Sequence, residues 1–312
     1  MPTEISIGGV CRLADRGVIR ASGADAATFL QSQLTNDVAS LDFGTARLAG
    51  FCSAKGRLQA SFVVWRPGAD EFLLSCPADL LAPTLKRLSM FVLRAKCKLS
   101  DASGTLSVVG VAGPAAVAML GDAVVWQVRA DGAATLLRLP DAAGLQRAWV
   151  VAAPGSEADV AAAPAMTLAT WHWLEVESGI VTIEAATVDR FVPQMVNFEL
   201  VGGVDFQKGC YPGQEVVARS QYRGTTKRRT LLFDCDTLPA VGQDVFASVA
   251  PGEPAGTVAN AAPHPVHPGG SALVEVRLAV VGEDLRLGAA DGPVLRRRAL
   301  PYAVPLEVAA AS

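Results

Sequence analysis

Lys208-Gly209-Cys210-Tyr211-Pro212-Gly213-Gln214-Glu215 is the stretch from which the rest of this chain is best read. Gly209, Pro212 and Gly213 in so short a span predict a tight loop, because proline fixes φ and glycine permits backbone angles that a Cβ forbids. Gln214 to Arg219 then reads as the first turns of a helix, with Glu215 near the positive end of its dipole. Cys210 falls just ahead of that helix start and two residues after Lys208. Both neighbours favour thiolate over thiol. A lone cysteine is more often a small buried hydrophobe than a nucleophile. Here the cation, the flanking glycines and the helix start turn the balance toward a functional thiol.

Outward from this loop, 312 residues are too many for one typical domain. Half of them are hydrophobic and 18% are charged, which supplies a sizeable core and argues against disorder. The formal net charge of -3 carries no nucleic-acid footprint. Lys227-Arg228-Arg229 is a short basic run of the kind expected on a solvated face. The amino-terminal residues show neither the basic nor the apolar region of a secretory signal, and Leu106 to Gly121 is too short and too broken to span a membrane. A cytoplasmic protein is expected. Six cysteines lie far apart without a CxxC pair, and three histidines are scattered, so no metal site is expected.

The pattern before the loop is α+β. Gly17 to Ala21 reads as a strand, followed by a helix starting at Asp25 and carrying Phe29, Leu30, Gln33 and Leu34 toward Thr35-Asn36-Asp37. Strands are predicted at Ala46 to Cys52 and Leu58 to Trp65, joined by a hairpin turn Ser53-Ala54-Lys55-Gly56-Arg57, and at Glu71 to Cys76. Leu80, Leu81, Leu85, Leu88 and Phe91 mark an amphipathic helix. Strands follow at Ala95 to Leu99 and Thr105 to Val111. Gly110-Val111-Ala112-Gly113 lacks the full dinucleotide fingerprint and reads as a strand-to-helix turn. A second α+β half runs through Trp126, Leu136 to Leu139 and Trp149 to Val151. After a loop or weak helix at Ala152 to Pro164 comes a Trp-rich helix, Leu168 to Glu177. Beyond Gly224 short apolar runs between Gly, Pro and Asp turns predict a small β-barrel. The expected division is 1–224, itself split near 105–115, and 225–312.

Three segments resemble the YgfZ family, folate-binding relatives of the glycine-cleavage T-protein (aminomethyltransferase). They are Phe29-Leu30-Gln31-Ser32-Gln33-Leu34-Thr35-Asn36-Asp37-Val38, then Cys52-Ser53-Ala54-Lys55-Gly56-Arg57, and a long run from Glu177-Ser178-Gly179 through the octapeptide to Tyr222-Arg223-Gly224. The octapeptide is the most specific of these. The resemblance implies a T-protein-like fold: two α+β lobes and a carboxy-terminal barrel around a central hole holding tetrahydrofolate or a formyl or methylene derivative. It also implies a role in assembling or maintaining iron–sulfur enzymes, including radical enzymes that modify tRNA, with those client enzymes as partners.

Residue by residue, the resemblance assigns Cys210 as the working thiol, Lys208 as its support and Glu177 as a pterin anchor. A pterin presents an N–H/NH2 edge that suits a carboxylate. The bland alternative for Glu177 is a helix-end charge on a solvated face. Lys55, Arg57 and Tyr211 join the expected folate contacts. Arg219 and Arg223 are candidates for the anionic glutamate tail, although surface arginines near a helix end are common. One departure matters. The acidic pair of an aminomethyltransferase falls on about Ala60 and Ser61, which cannot act as a carboxylate base. Glycine-cleavage activity is therefore not expected. A folate-dependent one-carbon transferase or demethylase with another acceptor, and a non-catalytic scaffold, are the alternatives. Of the thiols, Cys52, Cys76 and Cys97 should be buried, and Cys235 should be the main competitor of Cys210.

Overall fold

The computed structural model describes residues 7–156, 163–222 and 226–306. Its first sheet has the order β3-β4-β5-β2-β6, made of β2 (Arg16–Ser22), β3 (Ala46–Cys52), β4 (Leu58–Gly68), β5 (Glu71–Pro77) and β6 (Lys98–Asp101). All its pairings are antiparallel. Apart from the edge strand β6, these strands are buried over most of their length, and side-chain parity explains why. Phe62, Val64 and Leu74 face α1 (Ala26–Gln31) and α2 (Ala78–Ser89) in one core. Val63, Trp65 and Leu73 point the other way into a second core. Successive strand residues alternate faces, so a strand covered on both sides reads as a continuous apolar run.

The second core is shared with the inner face of another five-stranded sheet. Its order is β1-β7-β10-β9-β8: β1 (Gly9–Arg12), β7 (Ser107–Ala112), β8 (Val128–Asp131), β9 (Ala134–Ala142) and β10 (Leu145–Ala152). Leu137, Trp149 and Val151 fill the shared core, while Val109, Val111 and Val150 face α3 (Pro114–Leu120) outside. The result is a helix–sheet–sheet–helix sandwich. Along its flank lies α4 (Leu168–Glu177), whose Trp171 indole packs so closely on β7 that a Cβ at Gly110 would come within 2.6 Å of the ring. That contact, rather than a dinucleotide, is what the glycine serves.

The third unit is a closed barrel of β11 (Arg228–Cys235), β14 (Gly270–Arg277), β13 (Ala250–Pro263), β12 (Asp244–Ala247), β15 (Leu285–Leu287) and β16 (Val294–Arg298). Leu231, Phe233, Val245, Val258 and Val274 fill it. Among the described residues no helix is long and apolar enough to cross a membrane.

Four expectations are corrected. Residues 9–12 form a strand of the second sheet, so that lobe reaches back across the expected split to the amino terminus. The helix after Asp25 stops at Gln31, short of Leu34. There Thr35 Oγ1 donates to Gly203 O (2.6 Å) and accepts from Gly50 N (2.7 Å). Asn36 Nδ2 donates to Leu48 O (2.6 Å) and Gly202 O (2.7 Å), so the chain turns out of the helix here and staples β3 to the Gly202-Gly203 turn. The strand expected from Ala95 begins at Lys98, because residues 90–97 form successive turns that leave Phe91 40% exposed. Finally, Lys227-Arg228-Arg229 is not simply a solvated face: Arg228 pairs with buried Glu275, and Arg229 pairs with Glu199 where both side chains are buried. The expected boundary at Gly224-Thr225 and part of the Ala152–Pro164 loop lie outside the described residues.

Candidate functional site

The octapeptide forms the predicted loop, and α5 (Gln214–Tyr222) starts where expected. Two left-handed glycines lock the loop to the β3–β4 hairpin, Gly56 at φ 69° and Gly213 at φ 79°. Lys208 is half-buried. Its ammonium donates to Leu34 O (2.6 Å) and Gln31 O at the end of α1 and lies 5.0 Å over the Tyr211 ring. Burial lowers Lys208 to about 8, although Asp37, Asp205 and Cys210 act in the opposite sense. These two bonds tie the loop to the end of α1 and the residues just after it. Tyr211 is buried, and burial together with nearby Cys52 drives its hydroxyl pKa up.

Cys210 is the exposed one of the six thiols. Cys52 and Cys76 are pushed up to about 12 by burial. Cys97 is half-buried just ahead of β6, not within a strand, and its pKa is also raised by burial. Cys235 is buried in the barrel core and so is not the competitor it was expected to be. Lys55 is exposed at the hairpin tip, and the Arg57 guanidinium donates to Arg190 O. Arg219 makes a solvent-exposed pair with Glu215 one turn away (2.8 Å). Arg223 lies outside the described residues.

A polar cavity lies elsewhere, where the end of β5 and the residues leading into β2 meet α4 and the barrel. It encloses about 420 Å³ between Asp15, Arg16, His172, Glu175, Glu184 and Asn260, among others. A smaller space of about 50 Å³ adjoins it, sharing Arg16 and Glu175 and bounded by Ser61, Trp126 and Trp149. Arg16 Nη2 meets Glu175 Oε1 at 2.6 Å, and His172 Nε2 meets Asp15 Oδ2 at 2.6 Å. The hydrogen bond to Asp15 raises the His172 pKa against the opposing effect of burial. Asn260 accepts from Thr182 N (2.9 Å) and donates to Glu184 Oε1 (2.5 Å); burial raises the Glu184 pKa. Trp149 Nε1 is buried without a hydrogen-bond partner, beneath the Arg16 guanidinium at 5.4 Å from its ring.

One expectation about this region changes. Glu177 is absent from both cavity walls. Two residues along a helix is a turn of about 200°, so Glu175 and Glu177 point to opposite sides. Glu177 is buried against the barrel, where Arg298 holds both its oxygens (2.6 and 2.9 Å). Of these two glutamates, Glu175 faces the cavity. Its spacing from His172, one helical turn, was the available signal, since residues three apart share a helix face. Asp15 and Arg16 carried no local signal. On β4, Ala60 faces the helix-covered core and Ser61 accepts from Ile183 N (2.9 Å), so that strand brings no carboxylate to the cavity. Cys210 lines neither space.

The chain matches the GCVT N-terminal domain family over residues 8–136. It is 35% identical over 250 residues to the tRNA-modifying protein YgfZ of Edwardsiella ictaluri, covering 75% of this chain and 74% of that one. The Escherichia coli protein of the same name is 32% identical over 251 residues, with the same coverage. Among solved structures, the glycine cleavage system aminomethyltransferase T from Bartonella henselae superposes with a TM-score of 0.74 at 16% identity, over 96% of this chain and 86% of that one. That likeness establishes the T-protein-like fold, and the identity to the two relatives over most of both chains establishes the family. This chain belongs to the family of the tRNA-modifying protein YgfZ.

Proposed function

We propose that this protein binds tetrahydrofolate, or a formyl or methylene derivative, in the junction cavity and supports iron–sulfur enzymes as a cytoplasmic accessory protein, with tRNA-modifying enzymes among its clients. The observation that carries the folate reading is Glu175, a carboxylate facing a 420 Å³ cavity between the first lobe, α4 and the barrel, with the adjoining smaller space reaching the second lobe. A volume of that order suits a small-molecule site. The groups present fit a pterin. Glu175 and Glu184 accept from its N–H/NH2 edge, and the unpartnered Trp149 Nε1 offers a donor to its carbonyl or ring nitrogens.

The client role rests on the family resemblance and on the exposed Cys210 in a loop held rigid by Lys208 and Gly213. Aminomethyl transfer is disfavoured, since Ala60 and Ser61 leave the β4 wall without a base. Calorimetric titration with tetrahydrofolate tests the cavity. Saturable binding weakened about tenfold or more by Glu175→Gln supports it. Binding unchanged by Glu175→Gln, or none, overturns it. For the thiol, Cys210→Ser should abolish support of iron–sulfur enzyme activity in cells while leaving folate binding intact.

A further inference from the structure

Residues 86–98 contain five cations, Lys86, Arg87, Arg94, Lys96 and Lys98, and no acid, in a protein of formal net charge -3. All five are exposed, and none belongs to an ion pair among the described residues. The same segment exposes three large apolar side chains: Met90 at 65%, Phe91 at 40% and Leu93 at 87%. Leu93 is held at φ 44°, a left-handed conformation uncommon outside glycine, so the turn that presents it is specified. Beside it a groove of about 310 Å³ opens between α2 and β4, with an apolar lining from Phe51, Leu80, Pro83, Met90 and Val188. Lys86 and Arg87 stand on its rim, and Asp189 is near through its hydrogen bond from Gln59 (3.1 Å).

We infer that this face docks a partner protein through an acidic segment carrying an apolar anchor. Lys86 and Arg87 on the groove, with three further unpaired cations in the residues that follow, are the complement of such a segment: the anchor fills the groove, and the acids meet these charges, which steer association. Met90 belongs both to this exposed turn and to the groove lining, and exposed apolar surface of this kind marks an interaction site. A single-stranded nucleic acid fits less well, because those sites are built from several stacking aromatics and this face has Phe91 alone. This inference stands apart from the folate reading, since neither the groove nor residues 86–98 line the junction cavity.

The test is fluorescence anisotropy on the full chain with a labelled twelve-residue peptide of glutamate and aspartate interrupted by leucine and phenylalanine. The expected result is salt-sensitive binding that weakens about tenfold or more in Lys86→Glu/Arg87→Glu and in Leu93→Asp. Both variants alter exposed positions and should leave the melting temperature and tetrahydrofolate binding unchanged. A peptide with alanine at the apolar positions should bind about tenfold more weakly. Absent binding, binding indifferent to these variants, or equal binding of the alanine peptide overturns the inference. So does tight, variant-sensitive binding of a twelve-nucleotide oligouridine or of anionic phospholipid vesicles when the peptide is ignored.

Discussion

Gly56 and Gly213 pack backbone against backbone: a Cβ on Gly213 would stand 2.5 Å from Gly56 N, and one on Gly56 would stand 3.0 Å from Gly213 O. Two motifs more than 150 residues apart in the chain thus form one interlocked structure, the hairpin of the first lobe and the cysteine loop. The side of Gly56 is closed as well by Val216 of α5, whose Cβ lies 2.8 Å from that same added atom.

Gly213→Ala should therefore destabilise the fold more than an ordinary loop substitution. The left-handed φ of 79° alone costs roughly 1–3 kcal/mol for a residue with a Cβ, and the clash is with backbone, which cannot rotate away. Urea unfolding measures the loss. Wild-type stability in this variant would mean that the hairpin and the loop separate easily.

Alkylation should distinguish the six thiols by exposure. Cys210 should react with iodoacetamide first at neutral pH, ahead of Cys97 and far ahead of buried Cys11, Cys52, Cys76 and Cys235. Peptide mapping against time gives the order, and Cys210 among the slow sites would contradict it. Cys210→Ser at an exposed loop position should leave the melting temperature nearly unchanged.

Glu177→Gln should act on stability, whereas Glu175→Gln acts on ligand. Removing the buried Glu177 charge strands Arg298 beside Asp234 alone (3.2 Å). Loss of a partner in a fully buried pair costs several kcal/mol. Arg298 is about a third exposed, which reduces the expected loss to about 1–2 kcal/mol. Thermal unfolding with and without tetrahydrofolate separates the two variants. Equal melting temperatures but lost binding for Glu177→Gln would reverse the assignment of the two carboxylates.

The Asp15–His172 pair should give stability an alkaline-side decline. The folded pKa of His172 is raised, first by the hydrogen bond to Asp15. A raised folded pKa means that the protonated form is favoured by folding. Its contribution is complete below the unfolded value of about 6.5 and is lost as pH rises through the higher folded value. His172→Gln should flatten that part of the profile. An unaltered slope in the variant would assign the decline to another group.

Much of this architecture was legible along the chain. Ala46 to Cys52 and the start of the next strand at Leu58 appear as expected, because apolar runs bounded by a Lys-Gly-Arg turn leave little choice but a hairpin. Leu168 to Glu177 is helical over the predicted span, started by the Thr167 hydroxyl accepting from Thr170 N and stopped at left-handed Gly179. The octapeptide carried both its loop and the following helix. These features depend on neighbours a few residues away, and the chain encodes such neighbours directly.

What tertiary structure decided was the choice among partners far along the chain. The four residues of β1 carry no strand pattern of their own and become a strand by pairing with β7, about a hundred residues later. The helix containing Phe29 could have run on through Leu34, but Thr35 and Asn36 bond to Gly202 and Gly203 instead, and those partners are over 160 positions away. Glu175 and Glu177 are chemically identical and nearly adjacent. One became a cavity wall beside Arg16 and the other the counter-ion of Arg298, because opposite sides of one helix met different domains. Local sequence sets which side chains share a face. Which charge or ligand that face will meet is set by packing between segments whose separation no local pattern records.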